Sequence, residues 1–170
     1  FQSGKANPTG TGITAIGWRA LYSNTTGNSN VAVGQSALND NVTGGQNTAV
    51  GLRALKNNEN HYNTAVGYDA GFTSTSGGSN TFLGANAGYA NTSGGSNTAV
   101  GRSALEINST GSNNVAVGRS SLYANTEGAR NIAVGVYALD ANTTGVENIA
   151  VGQNALGGNT TGHTNTAVGY

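Results

Sequence analysis

The sequence contains no cysteine and no methionine, only one proline, and few charged residues. Without cysteine, disulfide bonds and thiolate metal sites are excluded. Charged residues make up 8% of the chain, against about 25% in an ordinary globular domain. The seven basic and seven acidic residues cancel, so nothing indicates binding to nucleic acid or to an anionic membrane. No apolar run approaches the roughly 18 residues of a membrane-spanning helix, so we expect no membrane insertion.

What the sequence does contain is a repeat that covers almost the whole chain. Asn recurs every 17 residues, with one step of 16 between Asn47 and Asn63. With Asn as position 1, a repeat reads Asn-(Thr/Val/Ile)-Ala-Val-Gly-x-x-Ala-Leu-x-x-Asn-Thr-Thr-Gly-x-x, and the first full repeat begins at Ile13. Position 5 is always Gly, and position 4 is always a branched aliphatic residue. Such strict order is not typical of a disordered linker, and it predicts a structure that uses each position alike in every repeat.

The residue types favour short strands over helices. Thr, Asn, Gly and Val are poor helix formers. The Val/Ile/Thr-rich segment before Gly predicts one short strand, the Ala-Leu segment a second, and Asn-Thr-Thr-Gly a turn. The repeat therefore predicts an all-β parallel β-solenoid, or β-roll, with one rung per 17 residues and about 4.8 Å between rungs. We divide the chain into residues 1–12, an N-terminal segment or inter-subunit connector, and residues 13–170, the repeat domain.

Stacking would place each residue on its equivalent in the preceding repeat, which predicts ladders along the rod. Stacked Asn amides can hydrogen-bond to one another and to the backbone of turns. Gly at positions 5 and 15 is expected at corners, in several cases with positive φ. The predicted structural ladder comprises Asn30, Asn47, Asn80, Asn97, Asn114, Asn131, Asn148, Gly34, Gly51, Gly101, Gly118 and Gly135.

One rung has few large apolar residues, which predicts that several chains associate. Val at position 4 and Leu at position 9 are expected to form the core. Ala at positions 3 and 8 is expected on the second face, where small side chains would let identical rods approach closely. We therefore predict a homotrimer with these Ala residues in its interface. The alternative is that they line a narrow interior.

Residues 97–101 and 131–135, Asn-Thr-Ala-Val-Gly and Asn-Ile-Ala-Val-Gly, resemble the head repeats of YadA-like trimeric autotransporter adhesins. The longer unit, with Ala-Leu and Asn-Thr-Thr-Gly, is similar to repeat arrays in phage and virus tail fibres. The resemblance covers residues 13–170, although YadA-type head repeats are shorter. It implies a left-handed parallel β-roll that assembles as a trimer and is displayed extracellularly, on a cell surface or on a virion.

No arrangement of side chains predicts catalysis, and we expect a non-enzymatic protein without cofactor or metal. There is no Gly-Lys-Ser/Thr phosphate motif. His61 and His163 lie far apart in the repeat array, and the rung positions imply no Ser/His/Asp group or carboxylate pair. Six Asn-x-Ser/Thr triplets all fall at position 12, so they represent either glycosylation sites or a repeated turn motif.

The variable positions 6 and 10 carry the residues that we expect to contact a partner. Exposed aromatic side chains can stack on sugars or pack at protein surfaces, and they can equally seal a groove between protomers. The candidate binding residues are Trp18, Tyr22, Tyr68, Tyr89, Arg102, Arg119 and Tyr123.

The expected function is a structural extracellular fibre or adhesin rod whose main partner is itself. One alternative is a tail-fibre segment that binds a cell-surface receptor or a glycan. A more distant alternative is an ice-binding solenoid, although Val and Ile interrupt the Thr rank at position 2.

Two irregularities lead to further expectations. The shortened repeat should absorb its missing residue in the turn, with Val50 and Val66 on the same face, because a slip inside a strand would reverse every side chain. Residues 165–170 supply the first six positions of a rung and residues 1–12 supply twelve more. We therefore expect the rod to continue end to end, into a longer chain or into a head-to-tail filament.

Overall fold

The computed structural model describes residues 2–170, which form ten short strands and no helix. Each strand has three residues and occupies positions 2–4 of its repeat. In chain order the strands are β1 Thr14–Ile16, β2 Val31–Val33, β3 Thr48–Val50, β4 Thr64–Val66, β5 Thr81–Leu83, β6 Thr98–Val100, β7 Val115–Val117, β8 Ile132–Val134, β9 Ile149–Val151 and β10 Thr166–Val168. They pair in sequence order in one parallel sheet. The predicted parallel β-solenoid, with one rung per repeat, is confirmed.

The register places equivalent positions on top of one another throughout the sheet. Ala32 of β2 pairs with Ala49 of β3, and Ala116 of β7 pairs with Ala133 of β8. Backbone hydrogen bonds of about 2.8 Å join the rungs, as from the amide of Val31 to the carbonyl of Asn47. Each rung therefore contacts the rungs before and after it, and the rod grows by one strand spacing per repeat.

The Ala-Leu segment is not the second strand that the residue types predicted. Positions 7 and 9 adopt positive φ, as in Ser36 (φ 56°) and Leu38 (φ 50°). These left-handed residues bend the chain twice within three residues, which prevents an extended strand. The segment still bonds to the next rung, since the amide of Leu38 donates to the carbonyl of Ala54 at 3.0 Å. It therefore forms a stack of turns opposite the sheet.

The core lies between the sheet and this stack of turns. Ala at positions 3 and 8 and Leu at position 9 are buried wherever they occur from Ala20 to Ala155. The prediction that these Ala residues form a trimer interface is wrong, and the narrow interior is confirmed. Side chains alternate along positions 1 to 4 of the repeat, so only those of positions 1 and 3 point inward. Leu from the facing turn fills the space, so the sheet supplies small Ala and its position 4 faces outward.

A compensated exchange in the middle of the core shows how narrow this interior is. Phe82 replaces Ala at position 3 of β5, while Gly71 and Gly88 replace Leu at position 9 of the two nearest turns. A Cβ at Gly88 would lie 2.3 Å from Phe82 Cε1, and one at Gly71 would lie 2.7 Å from Phe82 Cδ2. One aromatic ring therefore takes the volume of two missing Leu side chains.

The shortened repeat keeps its strands in register. Val50 pairs with Val66, so the two point to the same face as predicted. In regular rungs the position-12 amide bonds to the carbonyl three residues later, whereas Asn58 Nδ2 bonds to the carbonyl of Asn60, two residues later, at 2.9 Å. The missing residue is thus absorbed in the turn, and the expectation is confirmed.

The segment before Ile13 forms part of a further rung. The amide of Gly4 donates to the carbonyl of Ala20 at 2.9 Å, and Asn24 Nδ2 donates to Asn7 Oδ1 at 2.8 Å. Residues 2–12 therefore stack in register on the rung that follows, so the boundary drawn at Ile13 does not separate two structural units. Within residues 2–170 there is no helix long and apolar enough to cross a membrane.

Candidate functional site

The Asn residues at position 1 join neighbouring rungs along the interior corner of the rod. The backbone amide of Asn47 donates to Asn30 Oδ1 at 3.0 Å, and the same contact repeats along the rod to Asn165. The side-chain amide of Asn30 donates to the carbonyl of Gly44, at position 15 of its own rung, at 2.8 Å. Each buried Asn side chain therefore provides a hydrogen-bond partner for the backbone amide before the next strand and for a carbonyl in the turn. This is a structural role.

The Asn residues at position 12 form a second buried ladder. Asn125 Nδ2 donates to Asn108 Oδ1 at 2.8 Å and to the carbonyl of Gly128 at 2.9 Å. Five of the six sequon Asn side chains are fully buried, and that of Asn159 is partly buried with the same two bonds. The buried amide nitrogens are already engaged, which excludes a glycan at those five sites in the folded rod. The sequons are Asn24, Asn41, Asn91, Asn108, Asn142 and Asn159.

Glycine recurs at positions 5 and 15 of the repeat for two different physical reasons. Gly at position 5 has positive φ, as in Gly101 (φ 133°), and a Cβ there would lie 2.6 Å from the carbonyl oxygen of Gly118. Gly at position 15 does not have positive φ. A Cβ at Gly111 would lie 2.3 Å from the carbonyl oxygen of the next rung and 2.5 Å from Asn108 Oδ1. Close stacking, rather than backbone conformation, requires glycine at this second corner.

The outward side chains of positions 2 and 4 form a surface that we call the apolar stripe. It runs along the sheet from β1 to β10 and contains Thr, Val, Ile and Leu but no charged residue. Leu83 is 45% exposed and Ile132 is 39% exposed. Other members, such as Val50 and Val117, are half-buried, and a long, largely apolar face of this kind is typical of interaction surfaces. The sequence pattern missed it because position 4 was expected in the core.

A cationic and aromatic cluster lies beside the first full rung. The Arg19 guanidinium lies 4.6 Å from the ring of Tyr22 and 5.3 Å from that of Trp18. Lys5 Nζ lies 5.7 Å from the ring of Tyr22. Trp18 is 49% exposed, and none of the ion pairs among residues 2–170 involves Arg19 or Lys5. The cluster therefore presents two unneutralised cations next to an exposed indole ring.

A second cluster, centred on Arg53, lies two rungs further along the same face and carries its own carboxylates. Arg53 makes a two-point contact with Asp69, at 2.8 and 2.5 Å, and donates to the Tyr68 hydroxyl at 2.9 Å. The hydrogen bonding that Arg53 donates to the Asp69 carboxylate is the main reason that the pKa of Arg53 is raised. Lys56 pairs with Asp40 at 2.7 Å. This cluster is internally neutral, and cross-rung ion pairs of this kind hold neighbouring turns together.

Tyr89 and the remaining candidates are distributed along the same side of the rod. The ring of Tyr89 stacks on Phe72 with centroids 5.3 Å apart and planes within 6°. Arg102 and Arg119 are exposed in adjacent rungs, and the Arg119 guanidinium lies 4.8 Å from the ring of Tyr137. Tyr123 is half-buried. The structure therefore groups Trp18 with Tyr22 but does not bring the seven candidates into one site.

Several contributors were not singled out from the sequence. Arg19, Arg53 and Lys56 contact aromatic rings on the same face, and Asp69 is held by Arg53. The 16-residue spacing of Arg53 from Asp69 and of Lys56 from Phe72 is the signal that would have identified these two pairs, whereas Arg19 lies only three residues from Tyr22. His61 and His163 do not meet: each accepts a bond from the backbone amide of the preceding rung, at 2.9 and 3.0 Å.

The fold and these surfaces define a repeat protein of the parallel β-solenoid class. Within the part of the chain that the structure describes there is no cavity and no cluster of three potential metal ligands. Comparison with protein-family models, curated proteins and solved structures gave no match to this chain.

Proposed function

We propose that this chain is a structural rod, a rigid spacer in a fibre that is displayed outside a cell or on a virion. The observation that carries the proposal is the uninterrupted parallel register from β1 to β10, which is maintained through the 16-residue rung. A buried Asn ladder at position 1 joins neighbouring rungs along the rod, and a second ladder at position 12 joins them on either side of Ser74. The extracellular location is proposed on the resemblance of the repeats to adhesin heads and tail fibres.

The stacked rungs give the protein a rigid, fixed length. Each repeat contacts only its neighbours, so each added repeat lengthens the rod by about 4.8 Å without changing the rest. A spacer needs no pocket and no recognition site, only a fixed distance between whatever lies at its two ends.

The spacer role is tested by measuring length after removal of one whole rung. Because the chain has no cysteine, spin labels can be placed at Thr43→Cys and Thr144→Cys, two exposed turn positions six rungs apart. Their backbone separation is about 29 Å at about 4.8 Å per rung. Deleting residues 114–130 is expected to shorten the distance by about 4.8 Å, with an unchanged circular dichroism spectrum.

Deletion of residues 148–164, which lie outside the labelled interval, is the matched control and should leave the distance unchanged. Deletion of residues 114–121 removes half a rung and should broaden the distance distribution, because it breaks the stacking register. A whole-rung deletion that unfolds the protein, or that does not shorten the interval, would contradict the proposal.

Glycan binding is the second candidate function, and the cluster of Trp18, Arg19, Tyr22 and Lys5 favours it. An exposed indole can stack on a sugar ring, and two cations without carboxylate partners suit an acidic sugar. Trp18 is the only tryptophan, so its fluorescence can be titrated with a carboxylate-bearing oligosaccharide. Saturable quenching that is lost in Arg19→Ala and kept in Arg102→Ala would support this function. An unchanged spectrum would count against it.

A further inference from the structure

The apolar stripe is long, regular and free of charge, and nothing in the described chain covers it. Its outward side chains at positions 2 and 4 are aligned strand by strand, because every pair of neighbouring strands has the same register. The flank at position 6 continues it with Trp18, Leu52 and Tyr68, which are each more than a third exposed.

We propose that the stripe binds the same stripe of a second copy of this chain, with the two rods antiparallel. The two-fold axis would run parallel to the strands, between β5 and β6. Each strand would then face the strand at the same distance from the opposite end of the other rod, so that β3 faces β8 and β4 faces β7. This inference goes beyond the spacer role and does not depend on it.

The area is sufficient for a stable pair. Ten strands about 4.8 Å apart make a face about 43 Å long. Positions 2 to 6 span about 13 Å at about 3.3 Å per residue, so each copy would bury on the order of 560 Å². The two copies together would bury about 1,100 Å², which exceeds the roughly 1,000 Å² expected of a specific interface.

The position-6 flank supports the antiparallel orientation. An axis parallel to the strands brings the position-6 flank of one copy against the position-6 flank of the other. Leu52 then faces Val136, and Tyr68 faces Arg119. An aliphatic residue meets an aliphatic residue, and a guanidinium meets an aromatic ring.

The remaining central pair on this flank combines a small residue with a long one, since Ala85 faces Arg102 in the same register. Moving the register by one rung in the direction that pairs β5 with β7 would place Arg102 against its own copy. The proposed register therefore avoids the like-charge contact, which would cost stability in a partly buried interface.

A parallel arrangement is disfavoured by the same flank. An axis along the rod would bring position 6 of one copy against the residue that precedes position 1 of the same strand in the other. Leu52 would then face Gln46, and Val136 would face Arg130, which already pairs with Glu147 at 2.9 Å. Each aliphatic residue would meet a polar or charged one, and three parallel rods around a three-fold axis would bring the same residues together.

Side-chain size along the stripe also fits the antiparallel register. The two largest position-2 side chains, Ile132 and Ile149, would face the smaller Thr48 and Val31. At position 4, Leu83 would face Val100. Large side chains thus oppose smaller ones, which is the arrangement that lets two flat sheets pack at close distance.

The first test is the mass of the particle in solution, measured by sedimentation equilibrium between 1 and 100 μM. We expect a dimer for the unmodified chain. Val66→Lys, which places a charge at position 4 of β4 on the stripe, should weaken dimerisation by at least tenfold. Thr43→Lys, at an exposed turn away from the stripe, should leave it unchanged, and circular dichroism should confirm that both variants are folded.

The second test determines the orientation. Val50→Cys and Val134→Cys are combined in one chain and treated with a short bismaleimide. An antiparallel pair predicts intermolecular links between positions 50 and 134. A parallel dimer or trimer predicts links of 50 to 50 and 134 to 134. The five rungs between the two sites, about 24 Å, exceed the reach of the reagent within one chain.

The pair Thr43→Cys and Thr144→Cys is the matched control and should give no covalent dimer. A monomer at 100 μM, a trimer, or links between like positions would overturn the proposal. A monomer that slows the growth of ice crystals would do so as well, because it would assign the stripe to an ice surface.

Discussion

At the scale of single residues, the rod depends on whether each buried polar atom finds its partner in the next rung. Ser74 occupies position 12, where all the remaining full repeats have Asn. Its buried hydroxyl has no hydrogen-bond partner. The side-chain amide of Asn91, one rung later, therefore donates only within its own turn, although Asn91 Oδ1 still accepts a bond from Asn108 in the following rung. Asn58, one rung earlier, instead accepts a bond from Asn63. The position-12 ladder is thus divided into two parts at this rung.

Replacing this serine should reconnect the ladder. In Ser74→Asn the new amide can donate to the carbonyl of Gly77 and to Asn58 Oδ1, as its equivalents do in regular rungs. We expect the free energy of unfolding to rise by about 1 kcal/mol, the net value of a typical hydrogen bond, as measured by denaturant unfolding. Ser74→Ala is the control and should change stability little. If Ser74→Asn is less stable than Ser74→Ala, the site has no room for the amide and the explanation is wrong.

The pH dependence of stability should depend in part on Asp140. Burial raises the pKa of this carboxyl above its ordinary value of 3.8, so the folded state holds the proton more tightly than the unfolded chain. Stability is unaffected below both pKa values, decreases as the pH rises from the ordinary to the raised value, and stays lower above it. Asp140→Asn should therefore melt at a higher temperature than the unmodified chain at about pH 7 and at the same temperature at about pH 2.

Asp40→Asn is the comparison for this experiment, because it removes the ion pair with Lys56 and should lower the melting temperature slightly at neutral pH. If Asp140→Asn also lowers the melting temperature at neutral pH, then the charged form of Asp140 is stabilising and the interpretation fails.

At the scale of elements, the sheet and the facing turns share one narrow interior, so a change on one side must be matched on the other. Phe82→Ala removes the ring that fills the space beside Gly71 and Gly88. We expect a loss of about 3–4 kcal/mol in the free energy of unfolding, as for other buried Phe residues. Restoring the common pattern in Phe82→Ala/Gly71→Leu/Gly88→Leu should recover most of it.

The matched control for this exchange is Gly88→Leu with Phe82 in place, which should be destabilising because the new side chain meets the ring. Leu is compatible with the backbone at position 9, since Leu105 has a φ of 54° and Gly88 one of 60°. If the triple variant is no more stable than Phe82→Ala alone, then the two sides of the core are not complementary in the way that we describe.

At the scale of the whole molecule, the irregular features are concentrated in the middle of the rod. The 16-residue rung, the Ser74 interruption and the Phe82 exchange all lie between Asn47 and Gly94. Because each rung contacts only its neighbours, the regular rungs on either side cannot compensate for weakness there. We therefore expect amides in the turn 74–77 to exchange with deuterium faster than their equivalents in the turn 125–128.

Hydrogen exchange followed by mass spectrometry checks this, and the Ser74→Asn variant provides the control by slowing exchange in the turn 74–77 alone. Equal protection of the two turns in the unmodified chain would contradict the prediction. The head-to-tail continuation of the rod stays a prediction at this scale.

The sequence by itself determined the class of fold, the position of the strand before Gly in each rung and the absorption of the missing residue in a turn. It predicted a second strand in the Ala-Leu segment, which the structure shows as a turn, and Val50 and Val66 can share a face only if the slip lies outside the strand. The Asn residues were likewise assigned to ladders, since a residue repeated once per rung must stack on itself.

Only the tertiary structure decided which side of each strand is inside. Alternation along Val31, Ala32 and Val33 shows that neighbours point to opposite faces, but not which face is buried. The choice depends on the facing turn, where Leu38 at a positive φ fills the interior and leaves space only for Ala. The apolar stripe, and the pairing of rods proposed from it, follow from that choice.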